Sequence, residues 1–507
     1  MRKPFSLEFR PALETLTDRT MPSVSLLNGD IVITGRDDTS TTTTFRSFAD
    51  DRVFIDRYSG PVMTDGRTAD VYRVNDNGSI KDFPVSQVTG KIIFNGHGGN
   101  DLFENRAYLP VKANGGAGND TLIGGAADDV LDGGSGQDLV YGLAGGDILT
   151  GGFGDDQLYG GTGNDQLNGG LGFDQLSGDA GNDFLMYSAD STWDYVQISS
   201  GGVPLGGRAR SFDRFLGGDG VDQLLMTNGN DALLLDDTSV SSIDRRRFDQ
   251  VELIQGSGGN DIIDLRGPVN SLDTLLAGVY VDGGAGDDSI VGSQRFRTTL
   301  YGGGSPGDSA WVHANMSNLS GFATVQITNV PTDQPQTDSW SCGPNSVSRY
   351  LRAYGIDASY AETRAYAQER GIIPDYGLGT TPGTLLQVMQ HWKTDSQRVE
   401  ETNTARMISL LQQGKPVVAL VSMERTPVIV SGFTVGHYGK LHYVVMTGYN
   451  ATTDKFSYTD TNGAQKAWSR NDFEDKWNWH GHFTGAAGQS AQASLWTMGL
   501  RNNTLFY

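Results

Sequence analysis

The feature that most restricts the fold of this chain is a block of eight consecutive nonapeptides between residues 115 and 186. Each repeat has Asp at its sixth position and Leu or Val at its eighth, and glycine dominates the first two positions. Glycine permits a backbone with positive φ, whereas the three residues after each Asp suffice only for a short strand with one inward apolar side chain. Two nonapeptides are therefore expected to form one coil of a right-handed parallel β-roll.

The aspartates at the sixth position predict a metal-dependent fold. The block contains 12 Asp and no Lys, Arg or Glu, so its carboxylates repel one another around a thin aliphatic core. Carboxylate and turn carbonyl oxygens are hard ligands that suit Ca²⁺ better than zinc or copper. We expect several structural calcium ions and a block that is loose or unfolded without them. The predicted ligands are Asp120, Asp129, Asp138, Asp147, Asp156, Asp165, Asp174 and Asp183.

The pattern GGxGxDxUx over residues 115 to 186 resembles the RTX calcium-binding repeats of bacterial secreted proteins. This resemblance implies a secreted or cell-surface, extracellular protein, because cytosolic calcium is too scarce to fill such sites. Leu143 and Asp179 depart from the pattern, since each replaces the glycine at the second position. Degenerate copies outside the block end at Asp101, Asp222, Asp261 and Asp288.

Composition excludes several classes of partner and fold. A chain of 507 residues is too long for a single core, and its net charge of −22 argues against binding to nucleic acid or to an anionic membrane. No run of 18 apolar residues occurs, which predicts that the chain has no membrane span. A single cysteine excludes disulfides within the chain, and a lone thiol is a candidate nucleophile.

That cysteine, Cys342, lies at the start of a predicted amphipathic helix. Val347, Tyr350, Leu351 and Tyr354 follow one face of this helix at spacings of three and four residues. Unpaired amides and the helix dipole at a helix N-terminus favour an anion, so they favour the thiolate that attacks carbonyl carbon. The helix start therefore makes Cys342 a candidate nucleophile, and the motifs described next favour this interpretation over a small buried apolar residue.

Two short predicted strands carry groups that can serve this thiol. Residues 441–447 and 456–460 alternate in polarity and are separated by a polar turn, which predicts an antiparallel hairpin. Such a hairpin brings His442 near Asp460, and a nucleophile, a base and an orienting carboxylate form a catalytic triad. His437 is a rival base in a predicted loop, and Asn462 is an alternative orienting residue.

Gln336 lies six residues before Cys342, and its side-chain amide is a candidate donor to an oxyanion. This spacing, the Cys-Gly pair before a helix, the HYVV strand of His442 and the Asp-x-x-Gly of Asp460 resemble the papain-fold, bacteriocin-processing (double-glycine-leader) peptidases. The resemblance covers about 170 residues. It implies that Cys342 is the nucleophile, His442 the general base, Asp460 its orienting residue and Gln336 the oxyanion donor.

The sequence therefore predicts a multidomain chain, in which an all-β RTX β-roll precedes an α+β papain-like cysteine peptidase domain. The predicted divisions are a disordered leader at 1–25, a β-rich segment at 26–112, the calcium-binding β-roll at 113–190, a degenerate repeat-derived β region at 191–328 and the peptidase-like domain at 331–507. A polar, proline-containing linker is expected from about residue 329.

The functional prediction is a secreted, calcium-stabilised cysteine peptidase that hydrolyses a peptide or protein substrate. Two other functions fit parts of the sequence. One is a calcium-binding surface or adhesion protein with an inactive peptidase-like domain, against which the presence of all four candidate catalytic residues argues. The other is an amidase or acyltransferase that uses the same residues on cell-wall peptides.

Overall fold

A computed structural model describes residues 23–35, 50–59, 70–192, 209–235, 248–266, 278–293, 297–314, 317–336, 342–369, 382–399, 403–430, 433–477 and 505–507. The chain divides into two compact units, the first formed by residues up to Met186 with Leu216–Gly220, and the second by Tyr187–Phe215 with Val221–Tyr507. Most of the predicted leader lies outside the described residues. The first described strand begins at Ser23, slightly before the predicted boundary.

Strands dominate the described part of the first unit. The strands β1 to β16 lie at Ser23–Leu27, Asp30–Thr34, Arg52–Tyr58, Val71–Asp76, Ser79–Pro84, Ile92–Asn95, Leu102–Asn105, Val111–Ala117, Thr121–Gly125, Val130–Ser135, Leu139–Ala144, Ile148–Phe153, Gln157–Thr162, Gln166–Leu171, Gln175–Ala180 and Phe184–Met186. They form two sheets, with the strand orders β1-β2-β6-β8-β10-β12-β14-β16 and β5-β4-β3-β7-β9-β11-β13-β15.

Successive coils of the repeat block stack in parallel, with each residue opposite the residue 18 positions later. Leu131 of β10 pairs with Leu149 of β12, which pairs with Leu167 of β14. Alternate repeats form the second sheet, in which Val140 pairs with Leu158. The parallel sheets therefore confirm a β-roll with two nonapeptides in each coil.

The core of the repeat block is the stack of aliphatic side chains at the eighth position of each repeat. Every one of these side chains is buried, and each buried aliphatic group contributes about 1.5–3 kcal/mol through removal from water. The stack consists of Leu122, Leu131, Val140, Leu149, Leu158, Leu167, Leu176 and Leu185. Because the core is only one residue wide in each strand, the block has few other apolar contacts to hold its coils together.

The turns of the block keep the same backbone conformation even where glycine is replaced. Gly134 and Gly152, at the second position of their repeats, have φ values of 106° and 118°. Leu143 and Asp179 occupy that position with φ values of 78° and 68°, a region that residues with a Cβ rarely adopt. The stacking of neighbouring coils therefore imposes the turn on these two residues at a cost in backbone strain.

After Met186, short strands continue through the predicted repeat-derived region. The strands β17 to β30 lie at Ser191–Thr192, Ala209–Arg210, Arg214–Asp219, Gln223–Leu225, Asp231–Leu234, Phe248–Asp249, Leu253–Gln255, Ile262–Asp264, Val279–Asp282, Ser289–Val291, Thr298–Tyr301, Ser309–Val312, Ser317–Ser320 and Thr324–Ile327. Neighbouring strands such as β24 and β26 pair in parallel, as expected for an irregular extension of a solenoid.

Apart from a short 3₁₀ helix at Val85–Gln87, the helices of the described residues begin at Cys342. The helices α1 to α5 lie at Cys342–Ala353, Tyr360–Glu369, Pro382–Trp392, Thr404–Gln412 and Arg470–Trp477. The strands β31 to β36 lie at Arg398–Val399, Val417–Val430, Phe433–Asn450, Lys455–Thr459, Gln465–Ser469 and Leu505–Phe506. None of the described helices is long and apolar enough to cross a membrane.

The sheet of the repeat-derived strands continues into the strands of the C-terminal region. Its order is β17-β18-β21-β24-β26-β28-β30-β33-β32-β36-β31, with β34 and β35 paired beside β33. Thr324 of β30 pairs in antiparallel fashion with Asn450 of β33, and the side-chain amide of Gln326 donates to Thr447 Oγ1 at 3.1 Å. These repeat-derived strands and the strand of His442 are thus parts of one sheet within this unit.

Candidate active site

Cys342 is the first residue of α1 and is only 7% exposed. The predicted apolar face of this helix is present, since Val347, Tyr350 and Leu351 are fully buried. Polar residues of α1 are buried as well. Ser346, for example, donates from Oγ to the carbonyl oxygen of Tyr443 at 3.0 Å, which ties the helix to β33 directly beside His442.

His442 and Asp460 meet across the hairpin of β33 and β34. The Nε2–H of His442 donates to Oδ1 of Asp460 at 2.7 Å, and the backbone amide of Thr461 donates to the same oxygen at 2.7 Å. An ionised carboxylate only accepts hydrogen bonds, so the proton must lie on Nε2. Cys342 also interacts with the imidazole, and this interaction helps to raise the pKa of His442. The structure therefore brings a thiol, an imidazole and a carboxylate together.

A tight turn holds Asp460 in this position. The backbone amide of Gly463 donates to the carbonyl oxygen of Asp460 at 2.9 Å, and the amide of Asp460 donates to Ala464. Gly463 has a φ of 85°, and a Cβ at this residue would lie 2.0 Å from the carbonyl oxygen of Thr332. The glycine of the Asp-x-x-Gly motif is thus required both by the backbone conformation and by the available space.

The sequence left two alternatives open, Asn462 as the orienting residue and His437 as the base. Asn462 is exposed, and its Oδ1 accepts from the amide of Ala464 at 2.9 Å within the turn. His437 lies on β33 opposite Pro427, so its expected position in a loop is wrong. The long pairing of β32 with β33 extends the strand through this residue. His442 is bonded to Asp460 through Nε2.

The segment around Gln336 packs against the Asp460 turn rather than forming a free linker. The backbone amide of Gln336 donates to the carbonyl oxygen of Thr461 at 2.9 Å. Arg349 of α1 is fully buried, and its guanidinium donates to the carbonyl oxygens of Pro331 and Gln334. Residues 337–341, between Gln336 and Cys342, lie outside the described residues. The structure therefore places the backbone of Gln336 beside the residue that follows Asp460.

Lys466 is a partner of the site that the sequence analysis missed. It lies on β35 opposite Tyr458, and its Nζ donates to Oδ2 of Asp460 at 2.7 Å. Burial disfavours the charged form of Asp460, but hydrogen bonds from His442 and Lys466 hold its pKa well below the usual range. The sequence did contain a feature that could have predicted this contact. A third strand follows the Asp460 turn and brings a lysine back towards that carboxylate.

The electrostatics of the site favour a charged imidazole. Burial alone would lower the pKa of His442, but its hydrogen bonds with Asp460 and Cys342 raise that pKa to about 9. The imidazole is therefore protonated at neutral pH, and a thiolate is the natural partner of an imidazolium. Such a pair can attack a carbonyl carbon and then supply a proton to a leaving group.

The eight predicted calcium ligands form two ladders along the repeat block. Each carboxylate is buried, and in seven of the eight Oδ1 accepts from a backbone amide 18 residues earlier in the chain. Oδ1 of Asp120 accepts from the amide of Asp101, 19 residues earlier. Asp147, for example, accepts from the amide of Asp129 at 2.7 Å, and Asp156 accepts from the amide of Asp138 at 2.8 Å. The aspartates therefore link successive coils as well as providing carboxylate charge.

The second oxygen of these carboxylates fits a cation. Within the described residues, Oδ2 has no hydrogen-bond donor in Asp120, Asp129, Asp138, Asp147, Asp156 and Asp165. A Cβ at Gly142 would lie 2.2 Å from Oδ2 of Asp147 and 2.6 Å from the carbonyl oxygen of Gly160, so these two oxygens converge on a space that only glycine leaves open. Burial raises the pKa of Asp129 to about 8. Hard oxygens without donors are the ligands that Ca²⁺ prefers.

The same arrangement recurs in part in the second unit. Asp288 is buried, its Oδ1 accepts from the amide of Asp261 at 2.8 Å, and within the described residues its Oδ2 has no donor. Asp308, the next aspartate in this stack, differs. Its Oδ2 accepts from the backbone amides of Gly304 and Ser305 at 2.9 and 2.6 Å. Protein donors at Asp308 thus take the place that a cation would occupy at Asp288.

Comparisons with known proteins agree with both halves of this description. Residues 325–483 match the Peptidase_C39 like family, and residues 113–140, 141–176, 159–191, 250–267 and 280–294 match the RTX calcium-binding nonapeptide repeat. A crystal structure described as a C39-like peptidase from Bacillus anthracis is 18% identical with a TM-score of 0.26, over 36% of this chain and 96% of that one. No curated protein matches the sequence. The chain thus combines RTX calcium-binding repeats with a Peptidase_C39-like domain.

Proposed function

We propose that the protein is a secreted, calcium-stabilised cysteine peptidase that hydrolyses peptide bonds through Cys342, His442 and Asp460. The observation that carries this proposal is the hydrogen bond of His442 to Asp460, beside a Cys342 thiol whose interaction with the same imidazole raises the pKa of His442. A structural cysteine needs no base beside it, whereas a catalytic cysteine requires one.

The first half of the reaction forms a thioester. The Cys342 thiolate attacks the scissile carbonyl carbon, and the carbonyl electrons move onto oxygen. The side-chain amide of Gln336 is the proposed donor to this oxyanion. When the oxyanion collapses, the C–N bond breaks, and the His442 imidazolium gives its proton to the departing amine.

The second half restores the enzyme. The now neutral His442 takes a proton from water as the water oxygen attacks the thioester carbon. Collapse of this second oxyanion breaks the C–S bond, which releases the carboxylic acid product and the thiolate. Asp460 remains ionised throughout, keeps the imidazole oriented and stabilises its charged form.

Calcium has a structural role in this proposal. When bound, it supplies the positive charge that the buried carboxylates of the repeat block lack. RTX repeats are typical of secreted proteins, and extracellular calcium is abundant enough to occupy such sites. The proposed extracellular location therefore supplies the conditions that the fold requires.

Labelling of the only cysteine tests this function, because any thiol adduct on the chain must be on Cys342. We expect an iodoacetamide or epoxide warhead to label the parent rapidly and the His442→Ala variant slowly, as measured by mass spectrometry. Equally slow labelling of both would favour a calcium-binding surface protein without activity. Hydrolysis of cell-wall peptides but not of peptide libraries would favour the amidase.

A further inference from the structure

The two oxygens of the Asp460 carboxylate have different partners. Oδ1 faces the Nε2 of His442 and the backbone amide of Thr461, each at 2.7 Å. Oδ2 faces the Nζ of Lys466, also at 2.7 Å. The Asp460 side chain is 9% exposed, so water has little access to either oxygen, whereas the Lys466 side chain is 42% exposed.

The hairpin of β34 and β35 determines where Lys466 lies. Lys466 pairs with Tyr458, two residues before Asp460, so its side chain extends along the sheet towards the turn. Trp468, on the same face of β35, stacks on the ring of Tyr458 with centroids 3.8 Å apart. This stacking fixes β35 against β34 and keeps the ammonium group within reach of the carboxylate.

We propose that Lys466 is a positioning residue of the active site, which holds Oδ2 of Asp460 so that Oδ1 stays directed at His442. The proposal rests on the proposed peptidase function. A carboxylate held at one oxygen alone can rotate about its Cβ–Cγ bond, which would lengthen the bond to Nε2. The Lys466 ammonium removes that freedom by bonding the other oxygen.

The charge of Lys466 has a second consequence. Its ammonium and the His442 imidazolium share the negative charge of one carboxylate, so Lys466 weakens the hold of Asp460 on the imidazolium proton. Other titratable groups around the pair are Cys342 and Arg349 on α1, Tyr443 on β33 and Tyr458 on β34. None of these groups donates a hydrogen bond to Oδ2 among the bonds of the described residues, so the orientation of this oxygen depends on Lys466.

Three substitutions separate orientation from charge. Lys466→Arg keeps a charged donor and should retain activity within about twofold. Lys466→Gln keeps a donor without charge and should move the upper inflection of the pH profile upward by about half a pH unit, because Asp460 is then less neutralised. Lys466→Met removes both and should lower kcat by about tenfold with little change in KM, as expected for loss of orientation.

Lys476→Met is the matched control, since Lys476 lies over the ring of the neighbouring Trp468 and is not in the site. The pH profile is measured twice, as kcat/KM and as the rate of Cys342 alkylation by iodoacetamide, which needs no peptide substrate. Recovery of rate and profile in Lys466→Arg but not in Lys466→Met would support positioning.

The proposal is overturned if Lys466→Met and Lys476→Met have the same rate and the same alkylation profile. A failure of the proposed peptidase function would give a different experimental result. In that case the parent and Cys342→Ala have equal activity, while the alkylation profiles of the Lys466 variants still report whether this lysine acts on the His442–Asp460 pair.

Discussion

Asp147 in the repeat block and Asp460 at the candidate active site are both buried carboxylates, but their surroundings differ. Oδ1 of Asp147 accepts from one backbone amide, and within the described residues its Oδ2 has no donor. Asp460 has donors on both oxygens, from His442, Thr461 and Lys466. Burial raises the pKa of Asp147 to about 6, whereas the donors hold the pKa of Asp460 well below the usual range despite burial.

This difference shows two ways to bury a negative charge. A carboxylate removed from water needs a compensating partner, because an unpaired buried charge is costly. At Asp460 the chain supplies that partner, which makes a preorganised group that orients an imidazole. At Asp147 the partner must come from solution, which makes the fold dependent on a cation. Asp308 is an intermediate case, because neutral backbone amides of the chain donate hydrogen bonds to its carboxylate.

The largest expected effect is the response of the whole chain to removal of calcium. Chelation should remove much of the β-type far-ultraviolet circular dichroism, and millimolar Ca²⁺ but not Mg²⁺ should restore it, because Mg²⁺ requires a small octahedral shell. All eight tryptophans lie outside residues 115–186, so tryptophan fluorescence reports on other regions and should change less. A dichroism spectrum that is indifferent to chelator would remove the proposed distinction between the two kinds of aspartate.

The next largest effect concerns the reacting groups themselves. Cys342→Ala and His442→Ala should each lower kcat by about 10⁶-fold, since both act on the same step. Far-ultraviolet circular dichroism should show that both variants remain folded. His437→Ala is the control and should be nearly silent. An active His442→Ala protein beside an inactive His437→Ala protein would reverse the assignment of the base.

Asp460→Asn should leave measurable activity, with kcat lowered by about 10²- to 10⁴-fold, because Asp460 orients the imidazole without reacting. It should also change the pH profile. The folded-state pKa of His442, about 9, lies above its ordinary value of 6.5, so the imidazolium predominates at neutral pH and is lost as pH rises through 9. The upper limb of kcat/KM should therefore lie near pH 9 in the parent and at lower pH in Asp460→Asn. Identical limbs would mean that Asp460 does not act on His442.

The parts of the fold that could be predicted are those that local sequence patterns encode. The nine-residue period indicated the β-roll because each repeat contacts its neighbours, and so local spacing determines the register of Leu131 with Leu149. The polar turn after β33 likewise predicted a hairpin that brings residue 442 towards residue 460. The catalytic roles of these residues stay predictions.

The features that could not be predicted depend on contacts between distant residues. The pairing of β30 with β33 joins residues more than 120 positions apart, as in the bond from Gln326 to Thr447. Burial of Arg349 depends on carbonyl oxygens of a segment whose composition indicates only a linker. The amides that satisfy Asp308 belong to an irregular turn outside the nonapeptide pattern. No periodicity in the sequence encodes such partners.

A smaller effect distinguishes individual aspartates by how strongly each one affects calcium-dependent folding. Asp147→Asn, in the middle of the block, should raise the calcium concentration at the folding midpoint several-fold and reduce its cooperativity, because ligand charge determines affinity and each coil contacts two others. Asp183→Asn, near the end of the block, should have a weaker effect. Asp308→Asn should leave the midpoint unchanged, since backbone amides already satisfy Asp308. The midpoints are measured by circular dichroism during calcium titration. Equal shifts of the midpoint in all three variants would contradict this ranking.

The smallest expected effect isolates backbone strain from metal binding in the repeat turns. Leu143 has a φ of 78° and is 46% exposed, so Leu143→Gly should relieve strain while losing little buried surface. Relief of about 1–2 kcal/mol, reduced by about 0.5–1 kcal/mol for the greater freedom of glycine when unfolded, predicts a net stabilisation of up to about 1.5 kcal/mol. Leu171 is equally exposed, at 45%, and like Leu143 lies in a strand, but it is not among the described residues with positive φ, so Leu171→Gly should destabilise the block. Both variants are compared by thermal unfolding at saturating calcium. If both lower the melting temperature equally, stacking of the coils does not strain the turn at Leu143.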